Sequence, residues 1–190
     1  MSHMAQLPDR VKRLRTPGLG RPVLVGIDGP GASGKSTVAG ELARSCGSGA
    51  VVVHGDDFYT GTGRTDREWA TRFDVDRLEA EVLRPARSGV KSISYRRYDW
   101  SNSVIGDAVE VMVGDVLIVE GIYVTHPGVH DLYDVTVWVE CSYEERLRRG
   151  VERDGESMRS TWTDLWMPEE DLYRQMFRPD LHADITLITD

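Results

Sequence analysis

The sequence predicts one α/β domain of three layers, in which helices cover both faces of a mostly parallel central sheet. Short apolar runs alternate with stretches of helical periodicity along most of the 190 residues. These runs lack polar alternation, which is typical of strands that are buried on both faces. Repeated strand–helix units favour parallel pairing, and the length suits one domain with a full hydrophobic core.

The N-terminal 21 residues are predicted to lie outside this domain. Residues 2–4 (Ser-His-Met) resemble an expression-vector remnant, with a natural start at Met4. Residues 5–21 are polar and basic and end in a Pro/Gly-containing stretch, which indicates an arm. We therefore expect a tag remnant and arm over residues 1–21 and the domain over residues 22–190.

The elements of the domain follow in order. Apolar runs predict buried strands at 23–27, 50–53, 116–119, 135–139 and 185–188. Apolar stripes at helical spacing predict helices over 35–45 and 76–88. Residues 91–97 and 108–113 alternate apolar and polar instead, which predicts a β-hairpin flap with one solvated face.

Charge and composition exclude several functions. A net charge of −8 argues against a nucleic-acid partner, and the apolar runs are too short to span a membrane. Cys46 and Cys141 have no metal-site or disulfide-framework spacing, so we expect a protein of the reducing cytoplasm. The sequence leaves the oligomeric state open, a homo-oligomer included.

Residues 29–36 match the phosphate-binding pattern G-x-x-x-x-G-K-[ST], directly after a strand and at the start of a helix. Glycines let successive amides point inward, and the helix adds the positive end of its dipole. Lys35 is expected to reach the β- and γ-phosphates of ATP and Ser36 to bind Mg²⁺. The alternative is a glycine-rich turn before an ordinary helix. The predicted nucleotide-binding residues are Gly29, Gly31, Ala32, Ser33, Gly34, Lys35, Ser36 and Thr37.

Carboxylates follow two of the predicted strands. Asp56 and Asp57 come after the second strand, and Glu120 ends the strand at 116–119. Ligands of open α/β sheets bind at the carboxyl ends of strands, so these groups are expected to face the phosphate loop. There they could accept a proton from an attacking hydroxyl or hold the metal. The alternatives are an aspartate that caps a turn and a glutamate exposed at a strand end.

A run of arginines follows the strand at 135–139. Ser142 and Glu145 fit the capping box S-x-x-E, so a helix is expected to begin at Ser142. Arg146, Arg149 and Arg153 then share one face of it. Guanidinium groups on a closing lid could stabilise the charge of a phosphoryl group in transfer. The alternative is a solvated face that pairs with neighbouring glutamates.

Taken together, the motifs resemble the uridine kinase and phosphoribulokinase-like family of P-loop kinases over residues 22–190. The matching segments are GPGASGKS (29–36), DDFY (56–59), FD (73–74), YDW (98–100), VEGIY (119–123) and RRGVERDG (148–155). The resemblance implies a nucleoside kinase fold with a flap and an arginine-bearing helical lid. It also implies transfer of a phosphoryl group from ATP, with Mg²⁺, to the 5′-hydroxyl of a nucleoside.

The resemblance assigns a role to each matching residue. Asp56 is implied as the general base, and Tyr59 as an aromatic neighbour of the nucleoside. Asp74 is implied to hold the sugar hydroxyls, and Tyr98, with Trp100 beside it, to contact the base from the flap.

The metal and lid assignments come from the same resemblance. Glu120 is implied to position Mg²⁺ together with Ser36 and Asp56, and Arg149 and Arg153 are the lid arginines. Asp74 could instead cap the helix that begins near it, and the flap aromatics could simply pack.

One departure leaves the acceptor open. Uridine kinases commonly carry a base-reading histidine after the Tyr-Asp-aromatic segment, and residues 101–103 here read Ser-Asn-Ser. The candidate acceptors are therefore a pyrimidine nucleoside, or another hydroxyl compound such as a different riboside, a vitamin precursor or an antibiotic-like metabolite. A regulatory ATPase without an acceptor is a candidate of another class. A GTPase switch is disfavoured, because no Asn-Lys-x-Asp motif follows the phosphate loop.

Overall fold

The computed structural model describes residues 3–16, 18–60 and 72–190, with side chains from residue 6 onward. Five parallel strands form the central sheet in the order β2-β5-β1-β6-β7, and two antiparallel strands form a separate hairpin. The strands are β1 Val23–Asp28, β2 Ala50–His54, β3 Ser92–Asp99, β4 Val104–Met112, β5 Val116–Glu120, β6 Val135–Glu140 and β7 Ile185–Ile188. The predicted P-loop kinase fold, with its mostly parallel sheet, is confirmed.

Helices cover both faces of the sheet. They are α1 His3–Leu14, α2 Lys35–Cys46, α3 over 75–87, α4 Tyr143–Asp154, α5 over 159–177 and α6 Pro179–His182. α3 and α5 each contain a π-helical turn, at Glu79–Leu83 and Trp162–Trp166. No helix in the described ranges is long and apolar enough to cross a bilayer.

The register of the sheet determines where the site forms. β1 lies in the centre and pairs with β5 and β6, and β5 also pairs with β2. Ile27 lies beside Glu120, and Glu120 lies beside His54 on the next strand. Because parallel strands end at the same edge, the loops after β1, β2 and β5 meet at one end of the sheet.

The N-terminal segment is more than an arm. Residues 3–14 form α1, and its Leu7 and Val11 are buried in the same core cluster as Val25 and Ile27 of β1. Polar residues flank these two apolar positions, which stand four apart on one helical face, so the composition of the segment hides its packing. The boundary at residue 21 stays a prediction, but the expected arm packs against the domain.

A partly buried ion pair joins the start of β1 to the loop before β6. The carboxylate of Asp134 accepts hydrogen bonds from both terminal nitrogens of Arg21, at 2.7 and 2.8 Å, and from the Leu24 amide at 2.9 Å. Arg87 of α3 adds a third ion-pair contact at 2.9 Å. Burial opposes ionisation, but the hydrogen bond with Arg21 and the Leu24 amide outweigh it and lower the pKa of Asp134.

The predicted hairpin flap is present as β3 and β4, paired antiparallel with an irregularity between Arg96 and Tyr98. Ile93 and Tyr95 of β3 face the core, as their alternation predicts.

The prediction for the start of the lid helix is partly wrong. α4 begins at Tyr143 with Ser142 in the N-cap position, but the Ser142 side chain makes no capping hydrogen bond. The Ser142 amide donates to Asp190 instead. Glu145, the expected reciprocal partner, pairs with Arg148 and Arg149. Abundant arginines one turn along the helix compete for the carboxylate that a capping box needs.

Candidate functional site

A cavity of about 470 Å³ opens at the carboxyl end of the sheet, between the phosphate loop, the flap and the helices that follow β6. Its lining brings together sequence-predicted residues from five segments of the chain. They are Gly31, Ala32, Gly34, Lys35, Ser36, Thr37, Asp56, Tyr59, Trp100, Glu120, Arg149 and Arg153. Asp74 and Tyr98 are the predicted substrate residues that do not line it.

The phosphate loop takes the backbone geometry that its glycines predict. Gly34 has a φ of 92° and Ala32, without being a glycine, a φ of 58°, both in the left-handed region. A β-carbon at Gly29 would collide with the carbonyl oxygen of Val139. The Ser33 hydroxyl is fully buried and has no hydrogen-bond partner within the described residues. A buried, unpaired donor inside a ring of amides fits a loop that is built to receive an anion.

Lys35 lines the cavity and is 8% exposed. Its Nζ donates to the Pro30 carbonyl oxygen at 2.8 Å. Burial lowers the pKa of Lys35, and the negative charges of Glu170, Glu120, Asp28 and Asp56 oppose that shift, in decreasing order. The lysine is therefore held among carboxylates at the point where a phosphate would be bound.

Ser36 and Glu120 form the candidate metal position. The Ser36 hydroxyl donates to the two carboxylate oxygens of Glu120 at 3.1 and 3.2 Å. Glu120 is 5% exposed, so the alternative of an exposed strand-end charge is wrong. A hydroxyl and a carboxylate are oxygen ligands of the kind that Mg²⁺ prefers. Mg²⁺ commonly takes one or two protein ligands and completes its shell with phosphates and water.

His54 is a functional neighbour that sequence reasoning missed. Its Nδ1 lies 2.6 Å from Oε1 of Glu120. Burial would raise the pKa of Glu120, but the hydrogen bond from His54 and the charge of Lys35 outweigh it, so that pKa is lowered. The same hydrogen bond raises the pKa of His54. The pairing across β2 and β5 offers no local signal, because it depends on strand register.

The structure separates the two aspartates after β2. Asp56 lines the cavity, whereas Asp57 accepts a hydrogen bond from the Tyr95 hydroxyl at 3.1 Å and pairs with Arg97 at 3.3 Å. Asp56 is partly exposed to solvent, and the burial of the rest of its side chain among protein atoms raises its pKa, with the charge of Lys35 opposing. Of the two, Asp56 is the carboxylate placed to meet a bound acceptor.

Aromatic rings form the wall of the cavity away from the phosphate loop. Trp100, 58% exposed, stacks on Tyr59 with ring centroids 4.8 Å apart, and Phe73 contacts Tyr59 edge-on. Tyr98 is buried and packs edge-on against Tyr59 at 5.0 Å. The expectation that Tyr98 contacts the acceptor directly is not supported by its position, since it lies behind the wall. The exposed ring beside the cavity is Trp100.

Asp74 takes the alternative role that its position next to a helix allowed. It is the N-cap of α3, where its Oδ1 accepts from the Arg77 amide at 2.8 Å, and it faces a separate small cavity. The sequence pattern of a capping aspartate and that of a substrate carboxylate are the same at this point, so only the fold separates them.

The three arginines of α4 have different surroundings. Arg149 and Arg153 line the cavity; Arg149 pairs with Glu145 and donates to the Thr189 carbonyl oxygen at 2.6 Å. Arg153 pairs with Asp154, and its positive charge acts on Asp56. Arg146 is buried and pairs with Glu170 at 2.6 Å. One helical face therefore carries two arginines toward the site and one into the interior.

α5 adds two acidic residues to the cavity that the motifs did not reveal. Glu169 pairs with Arg72, next to Phe73, and Glu170 lies next to the phosphate loop. A Glu-Glu pair in a charged helix carries no distinguishing pattern, because its partners lie far away in sequence.

The chain is similar to known proteins over most of its length. A family model described as an AAA domain matches residues 25–174. The chain is 28% identical over 176 residues to the uridine kinase of Leuconostoc citreum, and the match covers 84% of this chain and 83% of that protein.

Solved structures show the same fold. A structure described as a possible uridine kinase from Bacillus stearothermophilus superposes with a TM-score of 0.68 at 22% identity, over 96% of this chain and 99% of that one. D-glycerate 3-kinase from Cryptococcus neoformans superposes with a TM-score of 0.63 at 12% identity, over 94% and 89%. The resemblance to uridine kinases that the motifs indicated is thus confirmed.

Proposed function

We propose that this chain, which belongs to the AAA-domain family and has the P-loop kinase fold, is an ATP-dependent phosphotransferase that acts on a hydroxyl of a small molecule. The observation that carries the proposal is that a phosphate-binding loop and the free carboxylate of Asp56 share one cavity. A loop that only bound nucleotide would not need an accessible carboxylate, at a raised pKa, beside its lysine.

The nucleotide side of the mechanism follows from the loop. The amides of residues 29–37 and the buried Ser33 hydroxyl bind the phosphates of ATP, and Lys35 moves its ammonium from the Pro30 carbonyl to a phosphate oxygen. Ser36 and Glu120 would hold Mg²⁺, with Asp56 at the same edge of the site. A bound ion would supply neutralisation of the phosphate charge.

On the acceptor side, Asp56 acts as the general base. Its carboxylate takes the proton from the attacking hydroxyl as the oxygen forms a bond to the γ-phosphorus, while the bond to the bridging oxygen of ADP breaks. Burial makes the carboxylate more basic than a free aspartate, which favours proton acceptance near neutral pH. Arg149 and Arg153, on α4, are placed to stabilise the charge that spreads over the transferring group.

In its most specific form, the proposal is that the acceptor is a pyrimidine nucleoside, phosphorylated on its 5′-hydroxyl. The stacked rings of Trp100 and Tyr59 support a flat, aromatic part of the acceptor, and the uridine kinase of Leuconostoc citreum is similar over most of both chains.

A second acceptor class is supported by one observation. Arg72 and Glu169 form an ion pair, with contacts of 2.8 and 2.9 Å, on the wall that carries the aromatic rings. A different riboside, a vitamin precursor or an antibiotic-like compound with a polar ring substituent could use that pair in place of the missing histidine. A regulatory ATPase stays as the alternative of another class.

The test is release of ADP from ATP and Mg²⁺ with and without a panel of hydroxyl compounds. We expect uridine or cytidine to raise ADP release well above the rate without acceptor. If only another riboside or metabolite stimulated ADP release, the acceptor would belong to that class instead. Turnover that no acceptor changes would contradict the kinase and favour the ATPase.

A further inference from the structure

A buried ion pair lies between the two helices that follow β6. Nη2 of Arg146, on α4, lies 2.6 Å from Oε2 of Glu170, on α5. Both side chains are only 5% exposed. Removing the two charges from water costs free energy, which can exceed the gain from their attraction. The position of the pair therefore needs a reason other than stabilisation of the fold.

The pair contacts the phosphate loop at Gly31. Nε of Arg146 donates to the Gly31 carbonyl oxygen at 3.2 Å. A β-carbon at Gly31 would lie only 2.7 Å from Oε1 of Glu170, so the carboxylate lies directly against this glycine. Burial raises the pKa of Glu170, and the charge of Arg146 and the Gly31 amide oppose that shift. Both residues of the pair therefore act on the same glycine of the phosphate loop.

The same carboxylate acts on the lysine of the loop. Glu170 lines the cavity and contributes the largest of the negative charges that act on Lys35. An amide of the phosphate loop and its lysine are two of the groups that bind phosphate oxygens in such loops. A carboxylate and a phosphate cannot occupy this place together without strong repulsion.

We propose that Glu170 is an internal competitor for nucleotide phosphate at Gly31, and that Arg146 is the positioning residue that holds it there. Binding of a nucleoside triphosphate displaces the Glu170 carboxylate from the loop. Because Glu170 lies on α5, occupation of the loop by nucleotide is thereby coupled to that helix. Glu170 sets nucleotide affinity rather than taking part in bond making. The inference rests on the proposed function only in that the loop binds a nucleotide.

The experiment is calorimetric titration of the chain with a non-hydrolysable ATP analogue and Mg²⁺, for Glu170→Gln and for the matched control Glu156→Gln. Glutamine keeps the size and the hydrogen-bond acceptor but removes the charge, so Glu170→Gln should lower the Kd by about tenfold. Glu156→Gln removes the same charge at an exposed position outside the cavity, where the carboxylate pairs with Arg159. Its Kd should stay within about twofold.

The outcomes separate the inference from a structural role. A residue that only supports the loop would give weaker binding on substitution, so an unchanged or raised Kd for Glu170→Gln would overturn the inference. Equal tightening by both variants would overturn it too, since it would indicate a general charge effect. Binding that follows the expected pattern without turnover on any acceptor would support it while contradicting the proposed function.

A second measurement needs no variant. In the unmodified chain, hydrogen exchange of peptides covering Met167–Phe177 should increase when the analogue binds, because Glu170 loses its contact with Gly31. Exchange in this segment that stays unchanged at saturating analogue would overturn the inference even if Glu170→Gln failed to fold.

Discussion

Replacing Asp56 by asparagine removes the proposed base and little else. Asparagine has nearly the same size and keeps an oxygen in place, so the cavity should keep its shape. Of the four carboxylates whose charges act on Lys35, Asp56 contributes least. Nucleotide affinity should therefore change by no more than about threefold.

The chemical step should respond strongly. Loss of a positioned general base costs about 10²–10⁴ in rate, which corresponds to roughly 2.7–5.5 kcal/mol of activation free energy. Because burial raises the pKa of Asp56, the unmodified chain should gain activity as pH rises through a limb above the usual aspartate range. The asparagine variant should lack this limb of the pH profile, since position 56 then carries no carboxylate that could lose a proton.

The assay is initial ADP release with the acceptor that the panel identifies, across pH, together with titration of the nucleotide. Asp57→Asn is the matched control, because its carboxylate is held by Tyr95 and Arg97 outside the cavity. We expect the control to keep turnover within about threefold. Turnover of Asp56→Asn close to that of the unmodified chain would refute the assignment, as would an equal loss in Asp57→Asn.

Three further predictions follow from the same contacts. Lys35→Ala should weaken nucleotide binding by at least about tenfold, measured by calorimetry, because a buried cation is lost at the phosphate position; an unchanged Kd would contradict its role. Trp100→Ala should raise the acceptor KM by about five- to tenfold and leave the ATP KM unchanged, because stacking surface is lost; the exposed flap substitution Met112→Ala is the control, and an equal effect there would contradict it. Asp134→Asn should lower the free energy of unfolding by about 2 kcal/mol at neutral pH, measured by urea denaturation. The folded-state pKa of Asp134 is lowered, so this stability is present above the unfolded-state pKa and is lost as pH falls through the folded-state pKa. The difference between the two chains should therefore shrink as pH falls below the ordinary aspartate range, and a constant difference would contradict the ionic account.

The sequence predicts much of the fold because its strands are uninterrupted apolar runs. Such runs are recognisable in a parallel sheet, which is buried on both faces, and the hairpin flap is recognisable by its alternation. α1 was missed because, among the side chains that the structure describes in it, the two residues that pack into the core are Leu7 and Val11 of a polar segment. Two apolar residues in a basic stretch do not stand out until the partner surface is known.

The residues of the site also divide into those that a contiguous motif reveals and those that only the fold brings together. The phosphate loop is contiguous in sequence, so its residues could be named in advance. His54, Glu169 and Glu170 could not, because each meets its partner through strand register or helix packing. Asp74 was assigned to the acceptor by resemblance and lies at a helix cap, since a single aspartate before a helix fits both roles.

The most direct test of the central claim is to follow the γ-phosphoryl group itself. The unmodified chain, ATP labelled in the γ-phosphate, Mg²⁺ and the stimulating acceptor are incubated, and the products are separated and identified by mass spectrometry. Transfer to a hydroxyl within the shared cavity predicts that the label appears in an acceptor monophosphate in the same amount as the ADP released. Label found only as inorganic phosphate would contradict that account.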